Sequence, residues 1–231
     1  MGMIINPYRF GSSSLLTGLV AWWSLDETSG TRADSHNSYD LSVVTGTGSY
    51  AAGVVANAFD TDVAGTPGTL GITDAAAEWT DIADTTMTFC GWVKLRVGTL
   101  NDGLWGKWGG ASQNSYLLWT GTNTIKWGYT GNTAACTVSQ TPGTWYFVEA
   151  YHDADANEMG LSLNRGTYAT KAVPSGFATS TAGFAVGTYQ YGLASLVSDS
   201  LIDELAAWSR RLTTDELDEL YNSGSGIAYP G

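Results

Sequence analysis

Residues 200–220 read SLIDELAAWSRRLTTDELDEL, and two kinds of local structure are spelled out in them. Residues 201–208 alternate with a period of two, the signature of a β-strand. At Thr213 the period changes. Thr213 is a good N-cap, Glu216 three residues on completes a capping box, and Leu212 with Leu217 forms a hydrophobic staple. Leu217, Leu220 and Tyr221 then share one helical face, and Gly224 suits a left-handed stop. A short helix is predicted over residues 214–222. The stretch holds six carboxylates, Asp203, Glu204, Asp215, Glu216, Asp218 and Glu219. The helix accounts for the last four: Asp215 and Glu216 complement its dipole, and all four are expected to face solvent. In the strand, alternation puts Asp203 on one face with Leu201, Leu205 and Ala207, and Glu204 on the other, where it can reach water. A carboxylate among apolar residues needs a cation, an arginine or several backbone N–H groups, so Asp203 asks for a partner.

Outward from this stretch, the same strand text recurs. Strands are expected at residues 19–25, 40–44, 57–60, 86–95, 103–108, 115–120, 124–129, 134–138, 144–152, 159–164, 167–173, 184–189 and 201–208. Residues 144–152 and 159–164 read as a hairpin across the turn 153–158. The composition agrees. Of 231 residues, 29 are Gly, and charged residues make up only 14% while hydrophobic ones make up 43%. Many short strands joined by turns, with almost no helical periodicity, predict an all-β antiparallel sandwich. The net charge is −12 and the ten Lys and Arg are scattered, which disfavours nucleic acid and anionic membrane as partners. No stretch is long and apolar enough to span a membrane, and the opening residues lack the layout of a signal peptide, so no cleaved leader is expected. Cys90 and Cys136 fall in expected strands and either pair or stay as two small buried thiols.

The order of these pieces resembles the laminin-G-like, concanavalin A-like jelly-roll family. LVAWWSLDETSG (residues 19–30) is similar to its opening strand and FCGWVKL (89–95) to its central strand. GTWYFVEAYHDADANEMGLSLNRG (143–166) is similar to its hairpin. Ile202, Asp203, Glu204, Leu205, Trp208, Arg210, Leu212, Thr213 and Glu216 match its closing motif. The hairpin departs from the family where Arg165 separates Asn164 from Gly166. The resemblance implies a jelly-roll β-sandwich over residues 18–222, with a flexible arm at 1–17 and a tail at 223–231. A second resemblance lies in the arm: INPYRF (5–10) ahead of Gly and Ser is similar to the start of tailed-phage virion proteins. Pro7, Tyr8, Arg9 and Phe10 are then candidates for docking on other virion proteins or on a second copy.

The family often holds one calcium ion on carboxylates and carbonyls, as a hard cation prefers. The resemblance makes Asp203 a candidate ligand, with Asp26 and Asp60 as companions; the alternative for Asp203 is backbone N–H groups, Arg32, Arg210 or Arg211. Zinc is disfavoured, because His36 and His152 lack ligand-spaced partners. The fold also carries glycosidases, which need two carboxylates on a groove-lining face. The nearest text, ELDEL at 216–220, falls on the expected helix, so catalysis is not expected. The chain has 10 Trp and 12 Tyr. Trp105 and Trp108 in WGKWGG, and Trp127 and Tyr129 in KWGYTGN, stand beside Gly-rich turns. Flat aromatics there are candidates for stacking on sugar rings, with core packing as the competing reading. The expectation is a non-enzymatic binding or structural module, a phage virion decoration or fibre protein presenting a glycan- or protein-binding sandwich. A free lectin module and a polysaccharide-cleaving enzyme are the alternatives.

Overall fold

A computed structural model describes residues 14–61, 67–73, 85–97, 101–109, 116–129, 135–173, 182–193 and 195–231. Its strands begin with β1 (Leu19–Trp23), β2 (Ser42–Thr45), β3 (Ser49–Ala52), β4 (Asn57–Asp60) and β5 (Thr69–Ile72). Then come β6 (Met87–Leu95), β7 (Gly103–Gly106), β8 (Tyr116–Gly121), β9 (Thr124–Tyr129) and β10 (Ala135–Ser139). The set closes with β11 (Trp145–Asp153), β12 (Glu158–Leu163), β13 (Ala169–Ala172), β14 (Phe184–Val186) and β15 (Ser200–Trp208), ahead of helix α1 (Thr214–Tyr221). The first sheet runs β13-β12-β11-β6-β15-β4-β3, with β1 also paired to β15. The second runs β10-β9-β8-β7-β14-β5-β2. Ladders between named strands are antiparallel, so the sandwich is the one expected, with a single short helix near the C-terminus among the described residues. The hairpin of β11 and β12 pairs Val148 with Leu163 through to Asp153 with Glu158. No helix among the described residues is long and apolar enough to cross a membrane.

Alternation within single strands builds two apolar layers. Along β6, Met87, Phe89, Val93 and Leu95 face the space between the sheets, while Cys90 and Trp92 face outward. The inner layer carries a run of rings, Trp23 stacked on Phe184, Phe184 on Phe89, and Phe89 tilted against Trp127. The outer layer covers the back of the first sheet. There Trp22, Trp92, Phe147 and Trp208 meet Leu212, Leu217 and Leu220 from the helix region and Leu15 from a 3-10 turn at Ser14–Leu16. Burying a large apolar side chain stabilises by about 1.5–3 kcal/mol, so this second layer is a core in its own right.

The helix caps as the sequence predicts. Glu216 N–H donates to Thr213 Oγ1 at 3.3 Å, and Thr213 N–H donates to the Glu216 carboxylate at 2.8 Å. Two details differ. The left-handed cap is Asn222 (φ 44°, ψ 51°) rather than Gly224. Glu216 is buried rather than solvent-facing, because Arg210 grips it through two bonds of 2.7 and 2.6 Å. That guanidinium, with help from the Thr213 N–H, overcomes the cost of burial and holds the Glu216 carboxyl down at about 2. Arg210 also donates to Thr17 O at 2.6 Å and Ser14 O at 2.9 Å, fastening the start of the described chain to the helix.

Strand β15 does not alternate as expected. Its register against β6 slips between Asp203 and Ala206, and Glu204 sits at φ 49°. This is a β-bulge, one extra residue that inverts the phase of the strand. Ile202 before it and Leu205 and Ala207 after it all face the inner core, whereas Ala206 and Trp208 face the outer layer. Asp203 therefore parts from the face of Leu205 and Ala207 that strict alternation assigned to it.

Candidate functional site

The carboxylates of β15 are both buried. Glu204 is 5% exposed, against the expectation that it reaches water, and its Oε2 accepts the Trp22 indole N–H. Asp203 is 0% exposed, and its Oδ2 accepts the backbone N–H groups of Val54 at 2.7 Å and Val55 at 2.9 Å. Of the partners left open by the sequence, backbone N–H groups are the ones supplied. Arg32 donates to Gly30 O, Arg210 serves Glu216, and Arg211 lies over the Tyr151 ring at 3.2 Å. Asp203 Oδ1 and Glu204 Oε1 are buried without a hydrogen-bond partner among the described residues. Burial pushes Asp203 up to about 7, opposed by the two N–H bonds and reinforced by the Asp26 charge. Burial likewise pushes Glu204 up to about 8, opposed by Trp22 and reinforced by Asp203 and Asp26.

The three carboxylates named as metal companions do not converge. Asp60 is engaged on both oxygens by Arg96, at 2.8 and 2.5 Å, and Asp26 Oδ1 accepts the Asn57 N–H at 2.8 Å. Among the described residues no group of three His, Cys, Asp or Glu is placed to hold a metal. The two cysteines are free thiols on different layers, Cys90 outside the first sheet and Cys136 between the sheets. Glu216 and Glu219 lie on α1, as expected, and no groove-lining strand carries them.

The aromatic candidates separate. Trp105 and Trp127 are core, 0% and 1% exposed, and Trp127 ties the sheets together by donating to Tyr151 O at 2.9 Å. Their stacking role is a correction: the strand alternation that places Leu118 and Ile125 inside takes Trp127 with them, and a register shift between Gly103 and Trp105 turns Trp105 inward. The side chain of Tyr129, and Pro7, Tyr8, Arg9 and Phe10 of the arm, lie outside the described residues. Trp108 is different. It is only partly buried and meets Tyr189 edge-on, with ring centroids 5.5 Å apart.

Tyr189 belongs to a feature not anticipated from the sequence. Across the outer face of the second sheet, Ser42, Gly71, Ala185 and Gly106 lie side by side in register. Residues 187–193 fold back over this lane of small side chains. A Cβ on Gly71 would come within 2.8 Å of the Tyr191 ring, and one on Gly103 within 2.7 Å of the Tyr189 ring. The glycines thus make the room in which the two tyrosines lie. Trp119, opposite Gly103, is half-buried on the same face. Burial and then the nearby Asp102 charge raise the Tyr189 phenol above its ordinary value. The result is a partly exposed shelf of Trp108, Tyr189 and Tyr191. The signal in the text was TYQY between Gly187 and Gly192, an alternation of rings bounded by turn residues.

A laminin G-like family model, described as the concanavalin A-like lectin/glucanases superfamily, matches residues 70–218. No curated protein matches the sequence. A solved structure of botulinum neurotoxin type C, whose cell entry is described as dependent upon interaction with two ganglioside molecules, superimposes with TM-score 0.69. It is 13% identical, with 92% of this chain and 53% of that chain covered. The binding domain of botulinum neurotoxin DC in complex with rat synaptotagmin II gives TM-score 0.66 at 14% identity, covering 91% and 52%. Domain 4 of AbnA, an extracellular arabinanase from Geobacillus stearothermophilus, in complex with arabinotriose, gives 0.62 at 18%, covering 86% and 96%. The chain spans about half the length of the neurotoxin structures it matches. At these identities the likeness is one of fold.

Proposed function

We propose that this chain, which belongs to the concanavalin A-like lectin/glucanases superfamily, is a binding module rather than an enzyme and takes a saccharide on the shelf of Trp108, Tyr189 and Tyr191. The shelf is the observation that carries this reading. Partly exposed rings offer flat apolar faces to sugar C–H groups. Two similar folds support it by what they are described as meeting, gangliosides and arabinotriose. The paired carboxyls of Asp203 and Glu204 do not suit glycoside cleavage, since neither is exposed enough to meet a polysaccharide. With a net charge of −12, neutral saccharides are favoured over acidic ones. A glycan array with the wild-type chain and the Trp108→Ala and Tyr189→Ala variants tests the reading. Binding that both variants abolish supports it, and an array with no wild-type signal overturns it.

The finer reading is a virion component docked through residues 1–13. The clamp of Arg210 on Ser14 and Thr17 supports it, because it fixes the point from which the arm leaves. Removing residues 1–13 is expected to abolish incorporation into particles while leaving the melting temperature unchanged; normal incorporation overturns the docking role. A structural calcium ion with Asp203 as one donor belongs to the same proposal, because Asp203 Oδ1 has no partner among the described residues. An identical melting temperature with calcium and with chelator removes it.

A further inference from the structure

We infer that the free edge of β3 is a pairing surface for a second copy of this chain. Strands β3 and β2 are the outermost strands of the first and second sheets, joined by residues 46–48 along one margin of the sandwich. The start of β2 is flanked by Arg32, which bridges to Leu41. Among the described residues β3 has no such cover. Its four residues keep an unbroken register with β4, and beyond that ladder their backbone groups bond no other described residue. The opposite margin is managed differently: β13 carries the exposed Lys171, and β10 packs against both β12 and β13.

Edge strands of monomeric proteins are guarded by charge, proline or bulges, because an open row of N–H and C=O groups is a template for another strand. β3 reads SYAA; at four residues it is short, but it has no charge, proline or bulge. Residues 41–59 contain no charged side chain at all. Tyr50, 48% exposed, stands in the middle of the edge, one of two large apolar side chains exposed among the described residues.

The occupant follows from charge. Two copies of a chain with net charge −12 repel each other over most of their surface. At β3 they do not, since Asp60, the carboxylate paired across from Ser49, is neutralised by Arg96. A basic partner gains nothing from a neutral edge, whereas a second neutral edge of the same sequence fits it. Antiparallel pairing about a two-fold axis is self-complementary, so one strand serves both sides and the two first sheets become continuous.

Sedimentation velocity of the full chain tests this, with a Tyr50→Lys/Ala52→Lys variant that sets like charges across the axis. The expected result is a dimer for the wild type and a monomer for the variant, with a melting temperature that rises with protein concentration in the wild type only. A wild-type monomer at every concentration overturns the proposal, as does a dimer that survives the two lysines. Amide hydrogen exchange of the wild type gives an independent reading should the variant misfold. Protection at residues 49–52 that rises with protein concentration supports the pairing, and protection that does not change with concentration overturns it.

Discussion

The two outer faces of this sandwich are built on opposite plans. Behind the first sheet, large outward side chains such as Trp22, Trp92 and Trp208 are sealed under α1, the Ser14–Leu16 turn and the C-terminal residues. In front of the second sheet, Ser42, Gly71, Ala185 and Gly106 present almost no side chain, and a loop lays two tyrosines into the space. Large outward residues recruit a cover and become core. Small ones leave a hollow that mobile partners, or a loop, can share. The same fold thus devotes one face to stability and leaves the other open, where the proposed recognition would take place.

The difference is open to direct test. Trp208→Ala, which empties the covered face and removes the bond from its indole to Leu15 O at 2.7 Å, is expected to cost about 3–5 kcal/mol in guanidinium unfolding. A loss below about 1 kcal/mol would show that the cover is not a core.

The buried pair behind the first sheet makes the next largest difference, through pH. The ordinary values of 3.8 and 4.5 for Asp203 and Glu204 rise on folding to about 7 and about 8. The folded state therefore binds protons that the unfolded chain releases. Stability is full below the unfolded values and is lost as pH climbs through 7 to 8. Glu216 has the opposite sign: held at about 2, its contribution is present above 4.5 and lost as pH falls toward 2. The guanidinium midpoint, measured without calcium, is expected to fall from about pH 4.5 to about pH 8, and Glu204→Gln to flatten that fall. An equally steep profile in the variant would remove Glu204 as its source.

On the open face the effect moves from stability to binding. Trp108→Ala is expected to weaken saccharide binding about tenfold or more while changing stability by less than about 1 kcal/mol. Trp105→Ala, three residues away but inside, is expected to destabilise by about 3–5 kcal/mol. Titration calorimetry beside a melting curve separates the two, and a Trp108 variant that unfolds with its binding intact would reverse the assignment. Smallest is Thr213→Ala, which loses the capping hydroxyl for about 1 kcal/mol.

What the sequence made legible was local. Thr213, Glu216 and the staple of Leu212 and Leu217 lie within six residues of one another, and the helix starts where they say. The β11–β12 hairpin follows from alternation on either side of one turn, with Asn157 at φ 50° easing the reversal. β3 and β5 escaped notice because each is four residues long: SYAA has no β-branched residue, and in TLGI a glycine interrupts the run. The bulge was hidden for a different reason. Glu204 takes a left-handed conformation without the glycine that usually marks one, so the phase of β15 had to be read in three dimensions. The site was half legible. Trp108 stood out beside its glycines, but Tyr189 and Tyr191 meet the lane only after the chain crosses between sheets, and no spacing rule links Gly71 or Gly103 to them.

The clamp of Arg210 on Ser14, and the hydrogen bond of 3.0 Å between His36 and Tyr229, put both ends of the described chain on the same side of the molecule. Whatever is joined to either end is tethered at the back. The tyrosine shelf then points away from its anchor, as a reading head points away from its arm. On the proposed function, copies fixed side by side would present their shelves outward together, and weak single contacts with a repetitive glycan would add into a firm one.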